Sequence, residues 1–530
     1  MNIKEKIIFV LIILLATVIR VVDLDKIPPN LGNDEISIAY DGYSISKTLR
    51  DEHNHFLPIS FQSHNTYKAP LTIYTVALST MVFGNNEYGA RLPSAIFGIL
   101  TILLVGLLVF ELTKNAPLCL ITSFMLAISP WHIYSSRLVW ETNIALFFVV
   151  AGIFCFYKGL HNKNNVLTLL SFVSFALSMY GYHTEWVFTP VLIFVLLLLN
   201  FNNLRNKLLY IPGLILFIVL IAPLGIDYIQ NLGTSARSNT EVIYSKIFNN
   251  IHLNIFQKIQ LLFSTFIANY SEYTNLGHLF FRGSSIPSDN NPLRLGLFLP
   301  IFLPLFFVGL LKFKKIFKQD TSFILFFLVF SPVVPALTSG GPVIARNLIS
   351  TIPYSILIAV GVYFLWQRFK PGKLQLATAS VLVVISLLYF MLLYFRSYPI
   401  ESALGFQYGY KQIALYIKSN YSKYERIVVD PKFGDLYQYD GVPHLYIAYF
   451  TNLDPQKFLD ERKDLPSGLY FDKYIIHQIN WPIEQISPGN LYIVPTSNLP
   501  TPAVLEQLNL VYEVRMPSGI QAFKIYESLN

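Results

Sequence analysis

Charge is scarce in this chain. Of its 530 residues 13% are charged and 53% are hydrophobic, whereas a soluble domain carries roughly a quarter charged residues. That ratio excludes an ordinary water-soluble protein. Cysteine is nearly absent: Cys119 and Cys155 both lie in apolar runs and read as small core residues, which removes a disulfide scaffold or a cysteine metal site. There is no internal repeat and no low-complexity segment, and the polar C-terminal part has no glycine-rich phosphate loop. The net charge of +8 sits in short hinges between apolar runs. Membrane orientation explains such an excess better than nucleic acid binding does.

Several of the apolar runs, at 7–22, 95–109, 208–224 and 376–394, approach the ~20 residues a spanning helix needs. Residues 1–6 followed by the first run resemble a signal peptide, but the run ends at Arg20-Val21-Val22-Asp23 without small residues for cleavage, so it is expected to stay as a first span. Two readings of the next stretch are possible. If 69–83 and 92–112 both spanned, every later basic hinge would fall outside the cell. If only the second spans, residues 113–114, 158–163, 205–207, 312–318 and 367–373 all lie inside. The positive-inside rule selects the second reading, with about eleven spans, a cytoplasmic N-terminus and 69–83 lying along the outer interface. The outer segments are then 23–91, 130–143, 182–188, 227–294, 339–346 and everything after 396. The expected architecture is a polytopic α-helical membrane part over 1–395, with 23–91 as its first outer loop, and an extracytoplasmic α/β domain over 396–530. Strand-like runs at 426–430, 490–494, 511–514 and 521–526, after a helix-like run at 410–421, carry the second expectation.

The chemistry-bearing residues collect on the outer side. Asp34-Glu35 follows Pro28-Pro29 shortly after the first span. An acidic pair can be no more than a hydrated loop, yet here it stands where a lipid headgroup would sit, as a general base should. Lys68 opens the interfacial stretch; a lysine there can simply snorkel, or neutralise a departing phosphate. Arg91 starts the second span. Arg137 and Glu141 are four residues apart, as an ordinary helix ion pair would be, though charges this near a bilayer tend to face a cavity. Tyr182 and His183 end a span, where aromatic anchoring suffices for the tyrosine. Arg346 begins a span on the side where few cations are needed, which makes it a further phosphate contact. His53, His55 and His64 share one loop with Asp51 and Glu52, but their spacing matches no metal pattern.

Arg20, Pro28-Pro29, Asp34-Glu35, Lys68-Ala69-Pro70-Leu71, Phe83-Gly84 and Arg91-Leu92-Pro93 resemble the opening of glycosyltransferase family 39, the group of protein O-mannosyltransferases and lipid A aminoarabinose transferases. The resemblance continues through Ser129-Pro130, Arg137, Glu141, Tyr180 to His183 and Arg346 to Pro353, covering roughly 7–395. It implies a GT-C fold with two juxtamembrane helices in the first outer loop, a sugar donor on a polyprenyl or dolichyl phosphate, and inversion at the anomeric carbon. By matching position Asp34 is the base, Glu35 its partner, Lys68 a phosphate contact and Glu141 a second acidic residue of the site. The chain departs from the family at Ala69, where the motif often has proline, at Asn347, where many relatives carry tyrosine, and at Ser284, where aspartate is common.

The expected function is therefore transfer of a hexosyl or pentosyl group, at the outer face of the plasma membrane, from a lipid-phosphate donor to a hydroxyl of a glycan, lipid or protein acceptor. Asp34 and Glu35 carry catalysis, Lys68, Arg137 and Arg346 hold the donor phosphate, and Glu141, His183, Arg91 and Tyr182 complete the site. The expected partners are the lipid-linked sugar, its acceptor and membrane lipids, with no nucleic acid. One alternative keeps the fold but moves an oligosaccharide from a lipid pyrophosphate with a divalent cation; otherwise no cofactor is implied. A lipid or glycan transporter would instead show two related halves with broken helices and mid-membrane charges. A membrane scaffold would leave the outer charges unexplained.

Overall fold

A computed structural model describes residues 1–63, 66–201, 210–230, 242–249, 253–283, 295–341, 343–433 and 439–529. The hinge expected at 205–207, His64, Ser284 and parts of the segment 227–294 lie outside these residues.

The apolar runs become helices with local start signals. Helix α1 (Ile3–Val21) opens on a capping box, in which the Asn2 side chain accepts the Glu5 N–H and the Glu5 carboxylate accepts the Asn2 N–H, at 2.9 and 2.7 Å. There follow α2 (Asn33–Thr48), α3 (Pro70–Phe83), α4 (Glu87–Thr113), α5 (Ala116–Ala127), α6 (Pro130–Ser136), α7 (Glu141–Asn162), α8 (Asn165–Gly181), α9 (Glu185–Leu199) and α10 (Tyr210–Ile229). Among the described residues five helices are long and apolar enough to cross a bilayer: α4, α7, α10, Ala345–Phe369 and Lys373–Glu401. Helices α5 and α6 make a sixth if they form one span, bent by 62° where Pro130 leaves no N–H to continue the ladder. Helices α3, α8 and α9 are apolar but shorter.

The chain forms two compact units. The first holds residues 1–22, 59–72 and 92–393. In it α7 and α8 lie side by side, because Gly152 leaves its surface open to the Phe175 ring and Gly181 leaves room for the Ala145 backbone. The helices Leu303–Phe317 and Thr351–Phe369 approach still more closely: Gly309 meets the Leu357 carbonyl, and Gly361 meets the Leu305 carbonyl. Small residues at such crossings let two backbones touch where lipid offers no hydrophobic drive. A hairpin of β1 (Phe61–Ser63) and β2 (Thr66–Lys68) pairs Phe61 with Lys68.

The second unit holds residues 23–58, 73–91 and 394–530. Its strands are β3 (Arg426–Val429), β4 (Lys432–Phe433), β5 (Tyr439–Asp440), β6 (Lys463–Leu465), β7 (Gly468–Phe471), β8 (Tyr474–Ile476), β9 (Asn490–Pro495), β10 (Leu508–Arg515) and β11 (Gln521–Ser528). Seven of them form one mixed sheet, in the order β10-β11-β9-β3-β8-β7-β6. The central strand β3 runs parallel to both neighbours, β8 and β9. Strand β9 is buried along its whole length, hence its unbroken apolar run, as parallel strands require. Helices Tyr410–Asn420 and Pro443–Thr451 pack together, with the Tyr410 and Tyr446 rings stacked 5.2 Å apart. Helix α2 joins this unit through Tyr43 against Tyr449 and Tyr40 against Phe458.

Candidate functional site

Arg91 organises the segment that carries the acidic pair. Its guanidinium is fully buried and has five N–H donors. Nε donates to Glu35 Oε1 at 3.1 Å, and Nη2 to Glu35 Oε2 at 3.1 Å and to the Asn30 carbonyl at 2.5 Å. Nη1 donates to the carbonyls of Leu24 and Pro28 at 3.1 and 2.9 Å. All five donors are spent, so Arg91 gathers the chain from Leu24 to Glu35 around one cation. Glu35 also accepts the Gly32 N–H at 3.0 Å, closing the first turn of α2. Both of its oxygens are thus engaged in shaping that turn.

Asp34 is exposed in the same first turn, beside the buried Glu35. A carboxylate there is favoured by the N-terminal end of the helix dipole. Further along, Asp41 accepts the Glu52 N–H at 3.0 Å, and Asp51 accepts the N–H groups of His53 and His55 at 3.0 and 2.8 Å. Arg462 donates to the Glu52 carbonyl at 3.1 Å. The histidine-bearing loop is therefore organised around acidic side chains. Among the described residues no group of three or more His, Cys, Asp or Glu side chains could hold a metal ion.

In the first unit Lys68 is buried at the end of β2. The next residue, Ala69, donates its N–H to Glu141 Oε1 at 2.5 Å, so the chain at Lys68 is fastened to the start of α7. Arg137 ends α6 and Glu141 begins α7, so the two are not one turn apart on a single helix. Arg137 is fully buried, and its Nη1 donates to the carbonyls of Ile19 and Val22 at 2.9 and 2.8 Å, which satisfies open carbonyls at the end of α1. Arg346 is half-buried, and its Nη1 donates to Thr338 Oγ1 at 2.9 Å and to the Ser339 carbonyl. His183 stacks on Trp186 and meets Tyr182 edge-on.

The two units thus hold different members of the expected set. Asp34, Glu35 and Arg91 stand together in one; Lys68, Arg137, Glu141, Tyr182, His183 and Arg346 are in the other. The structure adds buried polar residues to which the sequence reading gave no role in the site. Arg20 donates to the Ala127 carbonyl at 3.1 Å and to His132 Nδ1 at 2.9 Å, which makes Nδ1 the acceptor nitrogen of that ring. Asn143 donates to the Ser94 carbonyl at 2.5 Å. Glu185 is buried with Thr189 Oγ1 3.1 Å away. The signal for Glu185 was present in the sequence, as a lone carboxylate opening an otherwise apolar run.

Residues 67–226 match the family described as dolichyl-phosphate-mannose-protein mannosyltransferase. An uncharacterized protein of Aquifex aeolicus is 23% identical over 194 residues, which cover 36% of this chain and 39% of that one. Among solved structures, ArnT from Cupriavidus metallidurans bound to undecaprenyl phosphate is similar with a TM-score of 0.57 at 12% identity, covering 97% of each chain. The archaeal oligosaccharyltransferase AglB from Archaeoglobus fulgidus, in complex with an inhibitory peptide and a dolichol-phosphate, is similar with a TM-score of 0.50 at 12% identity. That match covers 85% of this chain and 64% of AglB. Residues 67–226 thus resemble the mannosyltransferase family, and the fold of the chain is similar to that of these two GT-C glycosyltransferases.

Proposed function

We propose that this chain transfers a single sugar, with inversion, from a polyprenyl- or dolichyl-phosphate donor to a hydroxyl acceptor at the outer face of the plasma membrane. The observation that carries the reading is the first turn of α2. Arg91 and Gly32 fix Glu35 there, while its neighbour Asp34 stays exposed. A general base needs that combination of a rigid mount and an accessible carboxylate.

In the proposed reaction Asp34 takes the proton of the acceptor hydroxyl as its oxygen bonds to the anomeric carbon. The bond from that carbon to the phosphate oxygen breaks on the opposite face, and the lipid phosphate leaves with the electron pair. Lys68, Arg137 and Arg346 neutralise the charge that builds on the phosphate. Glu35 and Arg91 position the base, and Glu141 holds the Lys68 segment through the Ala69 N–H. Tyr182 and His183 line the site. The undecaprenyl phosphate bound to the similarly folded ArnT supports a polyprenyl phosphate carrier. The topology belongs to the proposal: about eleven spans, a cytoplasmic N-terminus, a membrane part over 1–395 and an extracytoplasmic domain over 396–530.

The test uses the full chain in lipid nanodiscs, supplied with a radiolabelled polyprenyl-phosphate sugar and a cell-envelope extract as acceptor. Asp34→Asn is expected to lower transfer about 10²–10⁴-fold while the donor is still retained. Lys68→Ala should weaken both rate and donor retention, and Lys68→Arg should restore part of each. Transfer by Asp34→Asn at the wild-type rate would reject Asp34 as the base. An absence of any transfer from lipid-phosphate sugars would reject the donor class.

A further inference from the structure

The sheet of the second unit has a crevice that the proposed chemistry does not use. Strand β3 is flanked by two parallel neighbours, β8 and β9, and the chain visits β8 on one side before crossing to β9 on the other. In open sheets with parallel strands, ligands settle just beyond the carboxyl ends, where the connections diverge. A crevice of about 600 Å3 lies at that point, lined by residues that follow β8 (Gln478 to Pro482) and residues that follow β9 (Asn498, Leu499 and Thr501). That volume is in the range of about 300–1,000 Å3 for small-molecule sites.

Its framework is rigid. Asp430, the residue after β3, accepts the Lys432 N–H at 2.9 Å, the Ile479 N–H at 3.2 Å and Asn498 Nδ2 at 2.7 Å. Asn498 Nδ2 also donates to the Ile479 carbonyl at 2.8 Å, and the Trp481 indole N–H donates to the Asn498 carbonyl at 2.9 Å. The buried Trp481 and Ile479 form an apolar floor continuous with the core. With both amide protons of Asn498 committed, its Oδ1 is the atom left to accept from a ligand. Gln478, Asn480 and Thr501 are exposed on the rim. Every lining side chain is uncharged.

We infer that this crevice binds a neutral, hydroxyl-rich glycan, and that the inference deepens the proposed function by naming a glycan as the acceptor class. Carboxamides offer a donor and an acceptor from one group, which matches a hydroxyl that both gives and takes a hydrogen bond. An apolar floor suits the C–H face of a sugar ring. A phosphate or uronate would find no cation in the lining. A peptide adding to the sheet would need a free strand edge, whereas this crevice stands at strand ends.

The experiment immobilises the full chain in nanodiscs and measures retention of neutral oligosaccharides, uronate-containing oligosaccharides and an unstructured peptide. Neutral glycans should be retained selectively, and retention should change little between low and physiological salt. The double variant Gln478→Ala/Asn480→Ala should weaken it about ten-fold, the loss of two hydrogen bonds of ordinary strength. Thr501→Val, a milder change at the rim, should weaken it several-fold. Both variants should still transfer sugar to a simple soluble alcohol at the wild-type rate. Retention of the peptide or the uronates instead, or equal retention by wild type and variants, would overturn the inference. Transfer to the alcohol without glycan retention would sink this inference and leave the enzymatic reading standing. Glycan retention without any use of a lipid-phosphate sugar would do the reverse.

Discussion

Glu35 and Arg91 meet through two parallel hydrogen bonds of 3.1 Å each, in a place where Arg91 has no exposed surface. The pair is local in space and distant in sequence, and it decides the course of the chain between α1 and α2. Removing one member leaves the other buried and charged without its partner, which typically costs about 3–5 kcal/mol. Arg91→Ala is therefore expected to lower the melting temperature sharply and to open 24–32 to protease. Arg91→Lys should rescue little, since an ammonium has three donors and cannot match five acceptors in a plane. A lysine variant that melts with wild type would show that the segment does not depend on the fork geometry.

The reciprocal glycines give a second prediction. Gly309→Leu or Gly361→Leu would push a side chain into the backbone of the facing helix, and overpacking of this kind costs about 1–3 kcal/mol or more. Folded yield in detergent should fall for both. Gly225 stands in α10 with nothing near its surface, so Gly225→Ala should be neutral or stabilising by up to about 1 kcal/mol. Equal yields for all three variants would mean that the close crossing is not under packing constraint.

Much of this fold could be read from hydropathy, and the reasons for the exceptions are physical. The apolar sequence of Tyr210–Ile229 and of Lys373–Leu392 is helical because a continuous apolar run leaves the backbone no other partner in lipid. The strand-like runs at 426–430 and 490–494 match β3 and β9 because both are bounded by turn residues. Helix α2 was hidden. It is buried from Glu35 to Ile45 yet carries Asp34, Glu35, Asp41, Tyr40 and Tyr43, so its composition reads as a polar loop. The site residues were legible as residue types, whereas their commitments were not. No spacing rule shows that Arg91 would spend every donor on 24–35, or that Glu141 would take a backbone N–H from Ala69.

Asp430 gives a pH-dependent expectation. Burial pushes its carboxyl above the usual range, against the pull of the Lys432 N–H, Asn498 and the Ile479 N–H. A raised pKa means that the folded state holds this proton more tightly than the unfolded chain does. Its contribution to stability is therefore fully present below the ordinary aspartate pKa of about 3.9 and is lost as pH rises through the raised folded value. Hydrogen exchange at β3 and at 479–481 should accelerate over that rise by more than the intrinsic base dependence. Asp430→Asn should flatten the excess, and an unchanged excess in the variant would assign it to another group.

The last prediction concerns how α2 is held. The Tyr446 hydroxyl donates to the Leu31 carbonyl, and Asn30 Nδ2 donates to the carbonyls of Phe406 and Gln407 at 3.0 and 3.1 Å. All these ties fall within a few residues of Asp34, so residues from the later part of the same compact unit grip the turn that mounts the proposed base. Each broken tie leaves a buried polar group without its partner, at about 1–3 kcal/mol. Tyr446→Phe and Asn30→Ala should therefore lower kcat several-fold with donor affinity unchanged, because neither residue is placed on the donor phosphate. Tyr446→Phe/Asn30→Ala together should exceed either single change, as linked supports of one turn do. Deleting 398–530 removes both grips at once, and it should cost far more activity than loss of an acceptor site alone. A variant that melts early but turns over normally below its melting temperature would reduce these contacts to stability. Normal transfer by the truncated chain would show that α2 keeps its first turn without residues 398–530.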